Sequence, residues 1–169
     1  MKKRMRRKVY HELNPIYDHN SRILILGTMP SPKSRESGFY YSHPQNRLWK
    51  VLSELFEETV PSTPDQREQF LRDHGIAMWD VLQSCVIKGA DDSSITDPVP
   101  NDISRVLDEA DIRAVFTTGK TATELYRKLC YPGTGKPSIY LPSTSPANCR
   151  NYTYESLTDA YRILLEYLT

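Results

Sequence analysis

The chain has 169 residues and a formal net charge of +1; it fits one domain able to bury roughly 70% of its unfolded surface, which needs no disulfide or metal staple. No run of 18 apolar residues occurs, which excludes a spanning helix, and no apolar core follows the basic start as a secretory signal requires. Cys85, Cys130 and Cys149 are odd in number and scattered; they suit free thiols in a reducing cytoplasm and fall short of the four thiolates an iron–sulfur cluster usually takes.

In chain order, residues 1–20 read as a basic arm and lead-in, and residues 21–169 as a single α/β domain. Lys2, Lys3, Arg4, Arg6, Arg7 and Lys8 leave 16 basic against 21 acidic residues elsewhere, a body of about −5. Such an arm either neutralises phosphates or is a solvated tail. Arg22–Leu26 is a short apolar run ending at Gly27 and reads as a buried strand. From Asn46 to Glu58, Leu48, Leu52, Leu55 and Phe56 share a helical face. Thr63 and Gln66 form a capping box with Pro64 at the first helical position, and that helix should stop at Gly75.

Ile76–Leu82 is a second strand, and Gly89–Pro100, rich in Asp, Ser and Pro, reads as a loop. Ile103, Val106, Leu107 and Ala110 mark a helix, Ile112–Thr117 a strand, and Ala122, Leu125, Tyr126 and Leu129 the next helix. Ser138–Leu141 is a last short strand; Leu157, Tyr161, Leu164, Leu165 and Leu168 mark the terminal helix. This alternation predicts a three-layer αβα sandwich around a mainly parallel sheet of about four strands. Ligands of such sheets bind beyond the strands' carboxyl ends. Two unusual segments fall there: Gly27–Asn46, and Pro142–Asn148.

Several motifs fail on inspection. Gly119-Lys120-Thr121 sits where a phosphate loop would place it, but Ala114 replaces the required glycine. Gly133-Thr134-Gly135-Lys136 is followed by Pro137 and reads as a turn. His11, His19, His43 and His74 show no metal spacing, and there is no G-x-S-x-G elbow. No metal, cofactor or membrane is expected.

The first unusual segment combines Gly27-Thr28-Met29-Pro30-Ser31-Pro32 with Gly38-Phe39-Tyr40-Tyr41-Ser42-His43-Pro44-Gln45-Asn46-Arg47-Leu48-Trp49. Glycine and two prolines after a buried strand make a rigid, closely approached backbone, and aromatics outside regular spacing can stack on a base or simply pack. This stretch resembles the first motif of the uracil-DNA glycosylase superfamily, and is especially similar to its mismatch-specific uracil/thymine members. Pro142-Ser143-Thr144-Ser145-Pro146-Ala147-Asn148 resembles the second motif, the loop that enters the DNA minor groove. With Asp92–Ile95, the pattern is most similar to the hypoxanthine-DNA glycosylase branch. One departure stands out: many members carry Asp or Asn where this chain has Met29.

The resemblance implies a monofunctional glycosylase of base excision repair, a cytoplasmic monomer acting on DNA with deaminated bases. It assigns base binding to Gly27, Thr28, Met29, Pro30, Ser31 and Tyr41. Asn46 becomes the catalytic residue, the alternative being a helix cap. Ser34, Ser143, Thr144 and Ser145 become phosphate contacts, and Pro146, Ala147 and Asn148 the wedge, the alternative being a capped turn. Cleaving an N-glycosidic bond makes an oxocarbenium-like sugar, so a carboxamide that positions water can suffice. Backbone N–H groups from Thr28 to Ser31 could meet charge on the departing base. Lys33, Lys50 and Lys120 show no sign of desolvation, so no lyase step is expected. A uracil/thymine mismatch enzyme, a non-catalytic DNA-binding relative and a small-molecule-binding domain are the competing readings.

Overall fold

The computed structural model describes residues 5–168. At its centre lies a four-stranded parallel sheet in the order β3 (Ile76–Asp80), β2 (Ile23–Gly27), β6 (Ala114–Thr118), β7 (Ser138–Leu141). β2, β3 and β6 are buried along their whole lengths, which is why they read as unbroken apolar runs: a parallel sheet is covered on both faces.

Helices supply that cover. In α2 (Leu48–Phe56), Leu48, Trp49, Val51, Leu52 and Leu55 are all buried; each such side chain contributes roughly 1.5–3 kcal/mol relative to exposure. α3 (Pro64–Asp73) begins as its sequence dictates, with the Thr63 hydroxyl accepting from the Gln66 N–H and the Gln66 side chain returning the bond. It ends at His74 before Gly75, whose φ of +71° lets the chain turn into β3. α5 (Lys120–Leu125) runs on through a π-helical turn at Tyr126–Cys130 into the short α6 (Tyr131–Thr134). α7 (Tyr154–Tyr161) continues as a 3₁₀ segment over Arg162–Tyr167. Two short helices, α1 (Pro32–Ser37) and α4 (Ser104–Leu107), complete the set.

A second sheet departs from the expected layout. β1 (Arg6–Tyr10), β4 (Leu82–Lys88) and β5 (Asp91–Pro100) pair antiparallel, with β4 in the middle. The expected loop at Gly89–Pro100 is therefore a turn at Gly89 and Ala90 followed by a strand. Its polar composition reflects an irregular edge strand in which only Ser94 is fully buried, and the pairing with β4 shifts register three times. The N-terminal arm also differs from expectation. Arg6, Arg7 and Lys8 lie in β1, and Ile16 is buried, exchanging two backbone hydrogen bonds with Met78. Lys2, Lys3 and Arg4 lie outside the described residues.

Candidate active site

At the carboxyl end of the parallel sheet, a cavity of about 720 Å³ opens between three walls. One wall is Gly27–Ser31 with Ser34, Tyr41 and Asn46; a second is Ser143–Asn148; the third is the β4–β5 hairpin from Gly89 to Ser93. The structure thus brings together on one cavity every residue to which the resemblance assigns base binding, catalysis or DNA contact, although Asn46 and Thr144 are 98 residues apart. Two of the walls are laced together. The Asn46 Oδ1 accepts from the Leu48 N–H at 2.9 Å and from the Thr144 hydroxyl at 2.8 Å. The Arg47 N–H donates to the Thr144 carbonyl, and its guanidinium donates to the Tyr152 carbonyl at 2.7 Å.

Asn46, one residue before the N-cap Arg47, therefore satisfies the first N–H of α2 and lines the cavity at once. A backbone N–H can only donate, so the atom facing Leu48 is the amide oxygen and the NH₂ is left for the cavity. Tyr41 occupies the left-handed region at φ +52°, a costly conformation for an aromatic residue. Its carbonyl takes the Trp49 indole N–H, and its hydroxyl lies 3.4 Å from Thr118 Oγ1. Burial and the nearby Asp80 raise the phenol above its ordinary value. The buried Tyr40, by contrast, packs in the core and donates to the Asn14 carbonyl, and Phe39 packs against it and Trp49.

The second motif is a capped turn. Ser143 Oγ accepts from the Ser145 N–H, Ser145 Oγ from the Ala147 N–H, and Asn148 Nδ2 donates to the Ser143 carbonyl. Ala147 stands exposed at its tip. The hydroxyls of Ser34 and Thr144 are committed internally. Ser34 Oγ receives the Ser42 N–H and Thr144 is bonded to Asn46, each residue being 1% exposed. These two brace the loops in this conformation, and the exposed surface near them belongs to Ser143, Ser145 and Ala147.

Three acidic residues, Asp80, Asp91 and Asp92, also line the cavity; sequence reasoning assigned none of them a role, and Asp92 entered only within the Asp92–Ile95 stretch. Asp80 ends β3, opposite Gly27 in the ladder. Its carboxylate is 2.8 Å from His11 Nε2, with both side chains almost wholly buried. Burial raises Asp80 above the usual carboxylate range, while His11 and the Gly27 N–H draw it down. That N–H is thereby committed, so charge stabilisation by backbone amides falls to those after it. A Cβ at Gly27 would lie 2.5 Å from Asp80 Oδ1 and 3.0 Å from the Tyr41 hydroxyl, so glycine is required by space. Asp92, at the start of β5, accepts from the Thr28 hydroxyl at 3.0 Å. Asp92 is exposed as a residue, but the atoms crowding its carboxyl raise it, against the bond from Thr28, with Asp80 and Asp91 adding to the rise. Asp80 had a sequence signal, a lone acid inside the apolar run Ile76–Leu82, since a fully buried Asp is almost always partnered. Its partner His11 lies 69 residues away and had none. Among the described residues no group of side chains could hold a metal ion, and no helix is long and apolar enough to cross a membrane.

A layered α/β protein with a cavity at its strand ends, ringed by two motif loops, is the class these features define. The family model described as the uracil DNA glycosylase superfamily matches residues 15–169, and the chain belongs to that superfamily. A hypoxanthine DNA glycosylase of Methanosarcina barkeri is 33% identical over 139 residues, covering 81% of this chain and 87% of the relative. Another of that name, from Methanosarcina acetivorans, is 32% identical over 137 residues, covering 80% and 85%. The solution NMR structure of a Methanosarcina acetivorans protein described as a candidate uracil DNA glycosylase superposes with a TM-score of 0.77 at 30% identity, covering 93% of this chain and 98% of that one.

Proposed function

We propose that this protein excises hypoxanthine from deoxyinosine in DNA, hydrolysing the N-glycosidic bond to leave an abasic site. The observation that carries the reading is the lacing of Asn46 and Arg47 to the Thr144 loop around one cavity. It sets a base pocket and a groove-entering loop in fixed relation. The relatives named for hypoxanthine support the choice of base.

The target base is flipped out of the stack into the cavity. The Tyr41 ring stacks on it, whatever its identity. The wedge of Pro146, Ala147 and Asn148 holds the vacated gap, and Ser143 and Ser145 meet phosphates. As the bond lengthens, positive charge grows on the sugar and negative charge on the base. The amides of Thr28, Met29 and Ser31 meet the base charge. Asn46 orients the attacking water through its NH₂, because its oxygen is already shared by two donors.

The test is release of free base from labelled oligonucleotides carrying inosine, uracil, xanthine or mismatched thymine, each followed by alkali. Strand scission after alkali, and none before it, is expected first at inosine. Preference for uracil or mismatched thymine would move the protein to the mismatch branch. Tight binding without base release would make it a non-catalytic relative.

A further inference from the structure

The Asp80 carboxylate, which lines the cavity, is held from two sides. Its Oδ2 lies 2.8 Å from His11 Nε2. Its Oδ1 sits against the Gly27 backbone, so close that a Cβ there would be 2.5 Å away, and the Gly27 N–H is among the groups that draw on it. The next residues grip the same loop. The Val81 N–H donates to the Gly27 carbonyl at 2.8 Å, and the Leu82 N–H to the Thr28 carbonyl at 3.1 Å. His11 is fixed in turn: its backbone N–H donates to the Gln83 carbonyl, its ring packs against Tyr40 and Trp79, and its side chain is 1% exposed.

The burial of the ring bears on where its proton lies. Nδ1 is buried and has no partner among the described residues. The pair has three proton arrangements: a carboxylate with an imidazole protonated on Nε2, a carboxylate with an imidazolium, and a carboxylic acid with an imidazole protonated on Nδ1. Only the first leaves Nδ1 bare. The other two bury an N–H that finds no acceptor and so lose its full hydration. The other titratable groups around Asp80 are Tyr40 and Tyr41 from the loop before α2 and Asp92 from β5, none of them a cation.

We propose that His11 is a positioning residue for base excision, acting through Asp80, an inference that rests on the glycosylase reading above. The Nε2–H of a neutral His11 holds the Asp80 carboxylate against Gly27, and charge-assisted hydrogen bonds are roughly twice as strong as neutral ones. This fixes the start of the loop whose amides meet the departing base. Protonating Asp80 weakens that hold, so excision slows as pH falls. Burial raises Asp80 while His11 and the Gly27 N–H draw it down, so removing the His11 donor shifts the fall to higher pH.

The experiment is single-turnover excision from deoxyinosine duplex across about pH 5–9, for the wild type, H11F, H11Q and D80N. Phenylalanine keeps a ring against Tyr40 and Trp79 and removes the donor. Misplacing a reacting group by about 1 Å can cost about 100-fold, so H11F should lose about 10- to 100-fold in maximal rate at neutral pH. Half-saturating enzyme concentration should stay nearly unchanged, and the acid-side fall should move to higher pH. H11Q, whose amide can donate to a carboxylate, should recover part of both. D80N has no charge to lose and should show no such fall. Imidazole ¹⁵N NMR of the wild type reads the pair without a variant: at neutral pH His11 should carry its proton on Nε2, with Nδ1 bare. An H11F enzyme with the wild-type rate and acid-side fall overturns the proposal, even if it melts lower. So does a lost rate with an unshifted fall, which would make His11 a packing residue, and so does a proton on Nδ1. Each of these leaves the glycosylase reading intact, whereas failure of the wild type to release hypoxanthine removes both.

Discussion

Asn46 illustrates how one side chain can hold an element and face a reaction. Its oxygen is fixed by the Leu48 N–H and the Thr144 hydroxyl. Replacement by Asp keeps an acceptor at a helix N-terminus, where a negative charge is favoured, but removes both N–H donors. Asn46→Asp should therefore melt within a few degrees of wild type yet lose about 100-fold or more in turnover, a common cost of removing a preorganised group. Asn46→Ala should lose both activity and about 1 kcal/mol of cap. An active Asp variant would mean that the oxygen does the work. Tyr41 makes a second case. Base–aromatic stacking is worth about 1–3 kcal/mol, so Tyr41→Ala should lower kcat/KM roughly 5- to 150-fold. Tyr41→Phe should keep most activity, because the lost hydroxyl makes only a 3.4 Å contact with Thr118. Kinetics on inosine oligonucleotides decide between the ring and the hydroxyl.

Among the elements, the short turn Ser143–Asn148 depends on α2 for its place. The Arg47 guanidinium bonds the Tyr152 carbonyl, and its Nε and Nη2 are buried without a partner among the described residues. Methionine would fill similar space and drop the bond. Hydrogen bonds to charged groups are worth about 1.5–3 kcal/mol, so Arg47→Met should raise amide exchange across residues 143–152 and weaken excision about 10-fold or more. Unchanged exchange there would show that the turn stands by itself. The same elements show what the sequence makes legible. Ile23–Gly27, Ile76–Asp80 and Ala114–Thr118 are buried on both faces, so their composition alone marks them as parallel strands. The Thr63–Gln66 box is a local device, legible because both partners lie within one turn. β5 is the opposite case. Asp91–Pro100 buries little and takes its conformation from β4, so its Asp, Ser and Pro content reads as loop. The site divides the same way. Motif loops are contiguous in the chain, whereas the His11–Asp80 pair exists only after folding.

For the molecule as a whole, charge and buried ionisable groups set how it meets DNA and how it responds to pH. Arg7 and Lys8 are exposed on the edge strand β1, while Arg6 is partly committed to the Ser94 carbonyl. If β1 meets phosphates, Arg7→Ser with Lys8→Ser should weaken duplex binding mainly at low salt. The slope of log affinity against log salt should become shallower by about one to two units, since each lost phosphate contact releases fewer counterions. An unchanged slope would place the DNA on another face.

The pH dependence of stability follows from the cavity acids and the core phenols. Asp80 and Asp92 both have folded values above the ordinary carboxylate value. Between the unfolded and folded values the native state binds more protons, so their contribution to stability is fully present below about pH 4 and is lost as pH rises through the folded values. Tyr40, Tyr41, Tyr126 and Tyr161 are raised too, chiefly by burial. Their contribution is present below about pH 10 and is lost above it. The two sets act in separate windows, and Asp92→Asn removes one carboxyl from the lower one while keeping its shape. That variant should unfold at higher denaturant than wild type at pH 8, with the gap closing toward pH 4 and the alkaline loss above pH 10 unchanged. Urea midpoints at pH 4, 8 and 10.5 measure all three. A gap that widens toward pH 4 would mean that Asp92 is stabilised as a carboxylate.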